Sequence, residues 1–254
     1  MRPSYSAEFI EVECRAPDLD QCLFYHCVDL PSEREQLGIW DLRSGVDDYL
    51  GHVDFTDQSV LEIGPASGFL SFHMEQRGAR VTAVEPSMQH LWDTVTLAGF
   101  DIEGWRNEFS KKITGVRNSF WYLHHLHRSS VRLIETDPQA IPAGLGDYDI
   151  GLLAAVLLHC RAPFNLLESL SQRVRKTMII TELYDESLGD EPVCRLIPKP
   201  SIRQVDTWWS FSPSFIVNAL AVLGFEHAQV SIHHQVHLEL EEPVPMFTVV
   251  AHRT

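Results

Sequence analysis

The sequence predicts an α/β fold: a doubly wound, mostly parallel sheet of seven strands, with helices on both faces and an antiparallel hairpin at the C-terminal end. Three observations predict it. From Ser59 onward, apolar strand runs alternate with segments of helical period. The first strand ends in a turn bracketed by glycines, Gly64-Pro65-Ala66-Ser67-Gly68. The last two apolar runs, HAQVSIHHQVHLEL and PMFTVVAHR, are joined by a linker too short for a crossover, so they pair antiparallel.

Residues 1–50 mix polar turns with aromatics and show no steady period, and are expected to form an N-terminal cap segment on a single domain spanning 51–254. In that domain SVLEIGP reads as a buried strand, SGFLSFHMEQRG as a helix and ARVTAVEP as the second strand. A helix is predicted from Pro86 to about Ala98. Residues 99–128 then interrupt the alternation and are expected to be a helical insertion, its helix running from about Gly115 to Arg128, with FWYLHHLH forming an aromatic lid. SVRLIETD is the third strand, YDIGLLAAVLLH the fourth and KTMIITELY the fifth, with a helix from about Pro163 to Val174 between the last two. The helix SPSFIVNALAVLGF precedes the hairpin.

Composition narrows the function classes. A formal net charge of -15 argues against a polyphosphate partner, because counterion release needs clustered Lys and Arg. The two basic patches, Arg106 with Lys111, Lys112 and Arg117, and Arg173 with Arg175 and Lys176, are short enough to be solvated faces. Five cysteines form no CxxC pair, and no apolar run reaches the roughly 18 residues of a membrane-spanning helix. With no signal-peptide pattern at the N-terminus, a cytoplasmic protein with free thiols is expected.

In a doubly wound sheet the ligand lies outside the carboxyl ends of the strands, at the switch point. There the Gly64–Gly68 turn lets backbone amides approach a ligand, although many strand-helix turns need glycine for steric reasons alone. Glu85 ends the second strand about 20 residues further on, where a carboxylate accepts both hydroxyl protons of a ribose. The G-x-G-x-x-G pyrophosphate cradle of a dehydrogenase is missing.

On these residues the chain resembles the class I S-adenosylmethionine-dependent methyltransferases, with their Rossmann-like fold. LEIGPASG is similar to their E/D-x-G-x-x-x-G motif, AVEPS to the acidic second-strand motif, ETDPQAIP to the third-strand motif and YDIGLLAAVLLH to the fourth. The resemblance implies S-adenosyl-L-methionine as cofactor. It implies that Glu62 orders the first loop, that Gly64, Pro65, Ala66 and Gly68 lie against the methionine moiety, and that Glu85 and Pro86 hold the ribose. Asp137 and Pro138 would then meet the adenine, and Ala155 the sulfonium side. Trp40-Asp-Leu-Arg43, LLHCRAPFNLLESL and TWWSFSPSFIVNALAVLGF are further similar to segments of the tRNA uridine-5-oxyacetic acid (carboxymethyl) synthases and their small-molecule-acting relatives.

For the chemistry, His159 lies just past the fourth strand, where it reads equally as a catalytic base and as a residue bonding backbone at the start of the next helix. Glu182 and Tyr184 end the fifth strand and are candidates for base and acceptor contact. Arg161 reads as an acceptor-carboxylate ligand or a structural ion pair. Arg43 could grip the cofactor carboxylate or pair with Asp47 or Asp48. Trp208 and Trp209 could wall an acceptor site or belong to the core. The histidine clusters His124, His125, His127 and His233, His234, His237 lack the carboxylate or cysteine company of a metal site, so no metal is expected. The reading that follows is methyl transfer to an oxygen or nitrogen of a small molecule. A tRNA wobble-uridine methyl or carboxymethyl transferase and a catalytically inactive cofactor-binding protein are its alternatives.

Overall fold

Strands that are apolar at nearly every position need cover on both faces. The computed structural model describes residues 9–30, 34–36, 38–88, 93–199, 201 and 204–253. Its elements in chain order are β1 (Ile10–Glu11), β2 (Val28–Leu30), β3 (Arg34–Gln36), β4 (Trp40–Asp41), α1 (Val46–Tyr49), β5 (Ser59–Ile63), α2 (Phe69–Gln76), β6 (Arg80–Glu85), α3 (Ile102–His127), β7 (Arg132–Glu135), β8 (Tyr148–Ala154), α4 (Pro163–Ser171), β9 (Val174–Leu183), β10 (Cys194–Leu196), β11 (Trp209–Phe211), α5 (Pro213–Val222), β12 (His227–His237) and β13 (Val244–His252).

The main sheet has nine strands in the order β1-β7-β6-β5-β8-β9-β13-β12-β4. The five from β7 to β9 are parallel, and β13 then pairs antiparallel with both β9 and β12. These are the seven expected strands. The other two are short pieces of the N-terminal segment, β1 on the β7 edge and β4 on the β12 edge, both antiparallel. They cover backbone that an open sheet would leave unpaired.

Alternate strand residues enter two cores. Val60, Val81, Leu133 and Ile150 pack with Leu70, Phe72 and Phe120 of α2 and α3. Leu61, Val84, Ile134 and Leu153 pack with Leu166, Ile216 and Leu220 of α4 and α5. Each side chain fully buried in this way contributes roughly 1.5–3 kcal/mol.

Between β6 and β7 the structure departs from the expectation. Pro86–Met88 and residues 93–98 are not helical, and 89–92 lie outside the described residues. One long helix, α3, starts at Ile102 instead of near Gly115, and it is itself the crossover. The Asp101 carboxylate accepts the Gly104 amide at 2.9 Å and caps its first turn. The fourth strand also ends early, at Ala154. Ala155 takes φ +52°, in the left-handed region, which turns Leu157–His159 into a short 3-10 turn.

Candidate active site

The turn after β5 is built on three left-handed residues, Gly64 (φ +75°), Ala66 (φ +49°) and Gly68 (φ +86°). A Cβ on Gly68 would collide with Phe72 and lie 2.8 Å from Phe120, so packing as well as conformation demands glycine there. Gly68 opens α2 and does not face the cavity described below. Glu62 is 1% exposed and accepts a hydrogen bond from the Ser71 hydroxyl, tying β5 to α2. Burial pushes its carboxyl up to about 7.

At the end of β6, burial likewise pushes Glu85 up to about 7, against the Arg117 guanidinium and the Ala66 amide, which favour its charge. Arg117 reaches in from α3, donating to Glu135 and to the Pro86 carbonyl, each at 2.5 Å. Beyond β7, Asp137 accepts the Gln139 amide at 2.9 Å and opens the turn led by Pro138.

These elements converge on one cavity of about 340 Å³ at the carboxyl ends of the parallel strands. Glu62, Gly64, Pro65 and Ala66 line it from the first turn, Glu85 and Pro86 from the second strand, and Asp137, Pro138 and Ala155 from the third and fourth. His159 also lines it. Its Nδ1 lies 2.7 Å from the Asp206 carbonyl, which can only accept, so Nδ1 carries the proton. Burial holds the ring below the usual histidine range.

Six predicted residues lie elsewhere. Glu182 is buried beneath the Leu157–His159 turn, where it accepts the Leu157 amide at 2.8 Å, and burial pushes it up to about 8. With Tyr184 and Trp209 it lines a second cavity of about 460 Å³ beyond β9. Arg43 lines neither cavity. Its guanidinium, read as a cofactor-carboxylate ligand or as a partner of Asp47 or Asp48, instead bonds Asp41 through Nε at 2.8 Å and Nη2 at 2.6 Å, and Asp29 through Nη1 at 2.6 Å. Arg161 is clamped by Asp93, with Nε at 2.5 Å and its amide at 2.9 Å. Trp208 is buried and donates its indole N–H to the Asp93 carbonyl at 2.8 Å.

Asp93 therefore orders one rim of the first cavity, which it also lines, and no local pattern marks it. Tyr25, His26, Trp40, Tyr49, Phe109, Lys112 and Arg117 complete the wall from the N-terminal segment, α1 and α3. An i, i+3, i+4 reading of Phe109, Lys112, Ile113 and Val116 could have found the α3 face. The N-terminal residues offer no such signal.

Each histidine cluster has a member committed within the fold, while His125, His127 and His234 are exposed. His124 Nε2 lies 3.0 Å from the Val131 carbonyl, and His233 lies between Thr248 and Gln235 at 3.0 Å each. Among the described residues no helix is long and apolar enough to cross a membrane.

No family model matches the sequence, and no curated protein does either. Solved structures define the fold, which is that of the class I methyltransferases. The N-terminal domain of EvdMO1, with SAH bound, aligns at TM-score 0.54 and 18% identity over 92% of this chain and 93% of that one. The 1,6-didemethyltoxoflavin-N1-methyltransferase of Burkholderia thailandensis, with bound 1,6-didemethyltoxoflavin and S-adenosylhomocysteine, aligns at TM-score 0.54 and 15% identity over 84% of this chain and 78% of that one. Magnesium protoporphyrin IX methyltransferase of Synechocystis PCC 6803, with bound SAH, aligns at TM-score 0.53 and 13% identity over 84% and 82%.

Proposed function

We propose that this chain is an S-adenosylmethionine-dependent methyltransferase acting on an oxygen or nitrogen of a small molecule. The carrying observation is that the first-strand turn, Glu85 and Asp137, far apart in sequence, line one cavity at the switch point of the sheet. The residues present fit the cofactor. Glu85 offers a carboxylate to the ribose diol, Asp137 and Pro138 flank the adenine position, and Gly64, Pro65, Ala66 and Ala155 border the methionine end. Arg43, held by two carboxylates, is left out of this set, and so is Gly68.

S-adenosylmethionine supplies a methyl group already activated on a sulfonium, so alignment of the acceptor provides most of the acceleration. His159, protonated at Nδ1, keeps its basic lone pair at Nε2 and takes the proton of an acceptor hydroxyl or ammonium there. Glu182 acts through it as a positioning residue, holding the amides of the turn that carries the imidazole. Arg161 and Trp208 shape the rim through Asp93, and Tyr184 and Trp209 belong to the second cavity.

The tRNA reading keeps its resemblance in WDLR and TWWSFSPS, but the ion pairing speaks for a small acceptor. Arg106 pairs with Glu103, Lys111 with Glu108, Arg117 with Glu135, Arg173 with Asp147, and Arg175 and Lys176 with Asp149. Cations neutralised in this way have few counterions to release on binding a phosphate chain.

Thermal unfolding with ligands tests the cofactor. S-adenosylhomocysteine is expected to raise the Tm of the pure protein and NADH to leave it unchanged. Absence of a shift with the former would sink the proposal. Transfer of radiolabelled methyl across an acceptor library then separates an active enzyme from an inactive cofactor-binding protein.

A further inference from the structure

We propose that the methyl acceptor is a planar aromatic acid, lodged between the N-terminal segment and α3 with its anionic group at Lys112 and a polar ring substituent at His26. This deepens the methyltransferase reading and rests on it for the word acceptor.

The part of the cavity away from the nucleoside residues is walled by two elements that lean on each other. The Leu23 amide donates to the Gly115 carbonyl at 2.9 Å, and a Cβ on Gly115 would lie 2.8 Å from that of Leu23, so α3 carries a glycine where the segment crosses it. On this wall Leu23 and Ile39 remain 46% and 37% exposed although both line the cavity. Apolar surface left open inside a cavity is stabilised by an apolar guest. The rings available are held before any guest arrives. Trp40 stands edge-on to His237 at 4.7 Å and 86°, and Phe109 stacks on Trp105 at 4.7 Å and 11°. Fixed flat surfaces favour a flat partner at little entropic cost.

Two polar groups specify the rest. Lys112 lines the cavity and enters no ion pair among the described residues, whereas Arg106, Lys111 and Arg117 on the same helix are each paired. In a chain of net charge -15, a cavity-wall cation with no direct ion pair, whose Coulomb attraction to the exposed Glu108 is screened by water, selects an anion against the surrounding field. A single cation suits a carboxylate and is too little for a polyphosphate. His26 is 6% exposed, lines the same cavity, and its Nδ1 finds no hydrogen-bond partner among the described residues. Burial pushes the ring down to about 3, so it meets a guest as a neutral imidazole. A buried polar atom of this kind is satisfied when a bound hydroxyl or amine reaches it.

Calorimetric titration with 3-hydroxy-2-naphthoate, 2-naphthol and cyclohexanecarboxylate, each with and without S-adenosylhomocysteine, tests the inference. The naphthoate is expected to bind at least about tenfold more tightly than either of the others. In Lys112→Met, an exposed substitution, the preference over 2-naphthol should fall below about threefold while S-adenosylhomocysteine affinity holds. His26→Asn should weaken both hydroxynaphthalenes by about fivefold and leave their ratio unchanged. Equal binding of the acid and the naphthol, equal binding of the aliphatic acid, or an unaltered preference in Lys112→Met would overturn the proposal. Naphthoate binding with the stated preference but no S-adenosylhomocysteine binding would leave the acid site standing and overturn the methyltransferase reading.

Discussion

Arg117 Nη2 donates to the carbonyl of Pro86 at 2.5 Å, fastening the crossover helix α3 to the residue that follows Glu85. Its Nη1 takes Glu135 at 2.5 Å, with both side chains less than one-fifth exposed. One guanidinium thus joins three elements at the Glu85 end of the cavity and favours the charged form of Glu85.

Arg117→Met is expected to lower unfolding free energy by about 2–3 kcal/mol, because it leaves a mostly buried carboxylate and a carbonyl unpaired. Urea unfolding measures the loss, and S-adenosylhomocysteine affinity should fall with it. Arg117→Lys should not restore either, since an ammonium cannot span both partners in the guanidinium's planar geometry. Wild-type stability in the methionine variant would remove this pair from the structural account.

Affinity for S-adenosylhomocysteine should depend on pH through Glu85. Burial holds its carboxyl near 7, and only the ionised form accepts both ribose hydroxyls. As pH falls from 8 to 6 the affinity should therefore drop, by at most about tenfold per unit. Glu85→Gln should bind weakly at every pH. A flat titration of the wild type would show that this carboxylate does not hold the ligand.

Glu182 makes a stability prediction with a definite sign. Its folded value of about 8 lies above the ordinary 4.5, so the folded state holds its proton where the unfolded state has released it. The carboxyl's contribution is full below 4.5 and lost as pH rises toward 8. In Glu182→Gln, whose side-chain carbonyl still accepts the Leu157 amide, stability should fall less steeply than in the wild type between pH 6.5 and 8. Chemical denaturation across that range reads the difference in slope, and identical slopes would contradict it.

His159→Ala should leave the S-adenosylhomocysteine thermal shift intact and slow methyl transfer by about 10²-fold or more. Undiminished turnover would reduce His159 to its bond with the Asp206 carbonyl.

The first-strand turn predicts opposite effects at neighbouring positions. Gly68→Ala forces a side chain against Phe72 and Phe120 at φ +86° and should cost about 2–4 kcal/mol. Ala66→Gly relieves a left-handed alanine at φ +49° and should change stability by less than about 1 kcal/mol, in the stabilising direction. Thermal unfolding of the two variants checks the contrast.

The strand order was legible because β5, β6, β8 and β9 are buried on both faces and read as apolar runs, and because the last linker is too short for a crossover. The extent of α3 was not. Its helix was expected to begin only near Gly115, yet Gly104 already sits in the capped first turn and Gly115 lies under Leu23, where tertiary contact overrides propensity. The Asp101 cap was present in the sequence and marks the true start of the helix.

Site residues divide along the same line. Glu62, Gly64, Ala66, Glu85 and Asp137 line one cavity because each belongs to a short pattern at the end of a strand, and the sheet places strand ends together. The ion-pair alternative for Arg161 is realised by Asp93, while Arg43 is held by its near neighbour Asp41 together with Asp29, and Glu182 by the Leu157 amide; Asp93, Asp29 and Leu157 lie at separations no local pattern encodes.

By itself the sequence determined the sheet, its hairpin and the first-strand turn, because periodicity and glycine conformation are properties of adjacent residues. Only the tertiary structure decided which side chains were already committed to partners and which faced the cavity. Burial and ion pairing depend on distances through space, and there His26, Trp40 and Lys112 stand beside residues far from them in the chain.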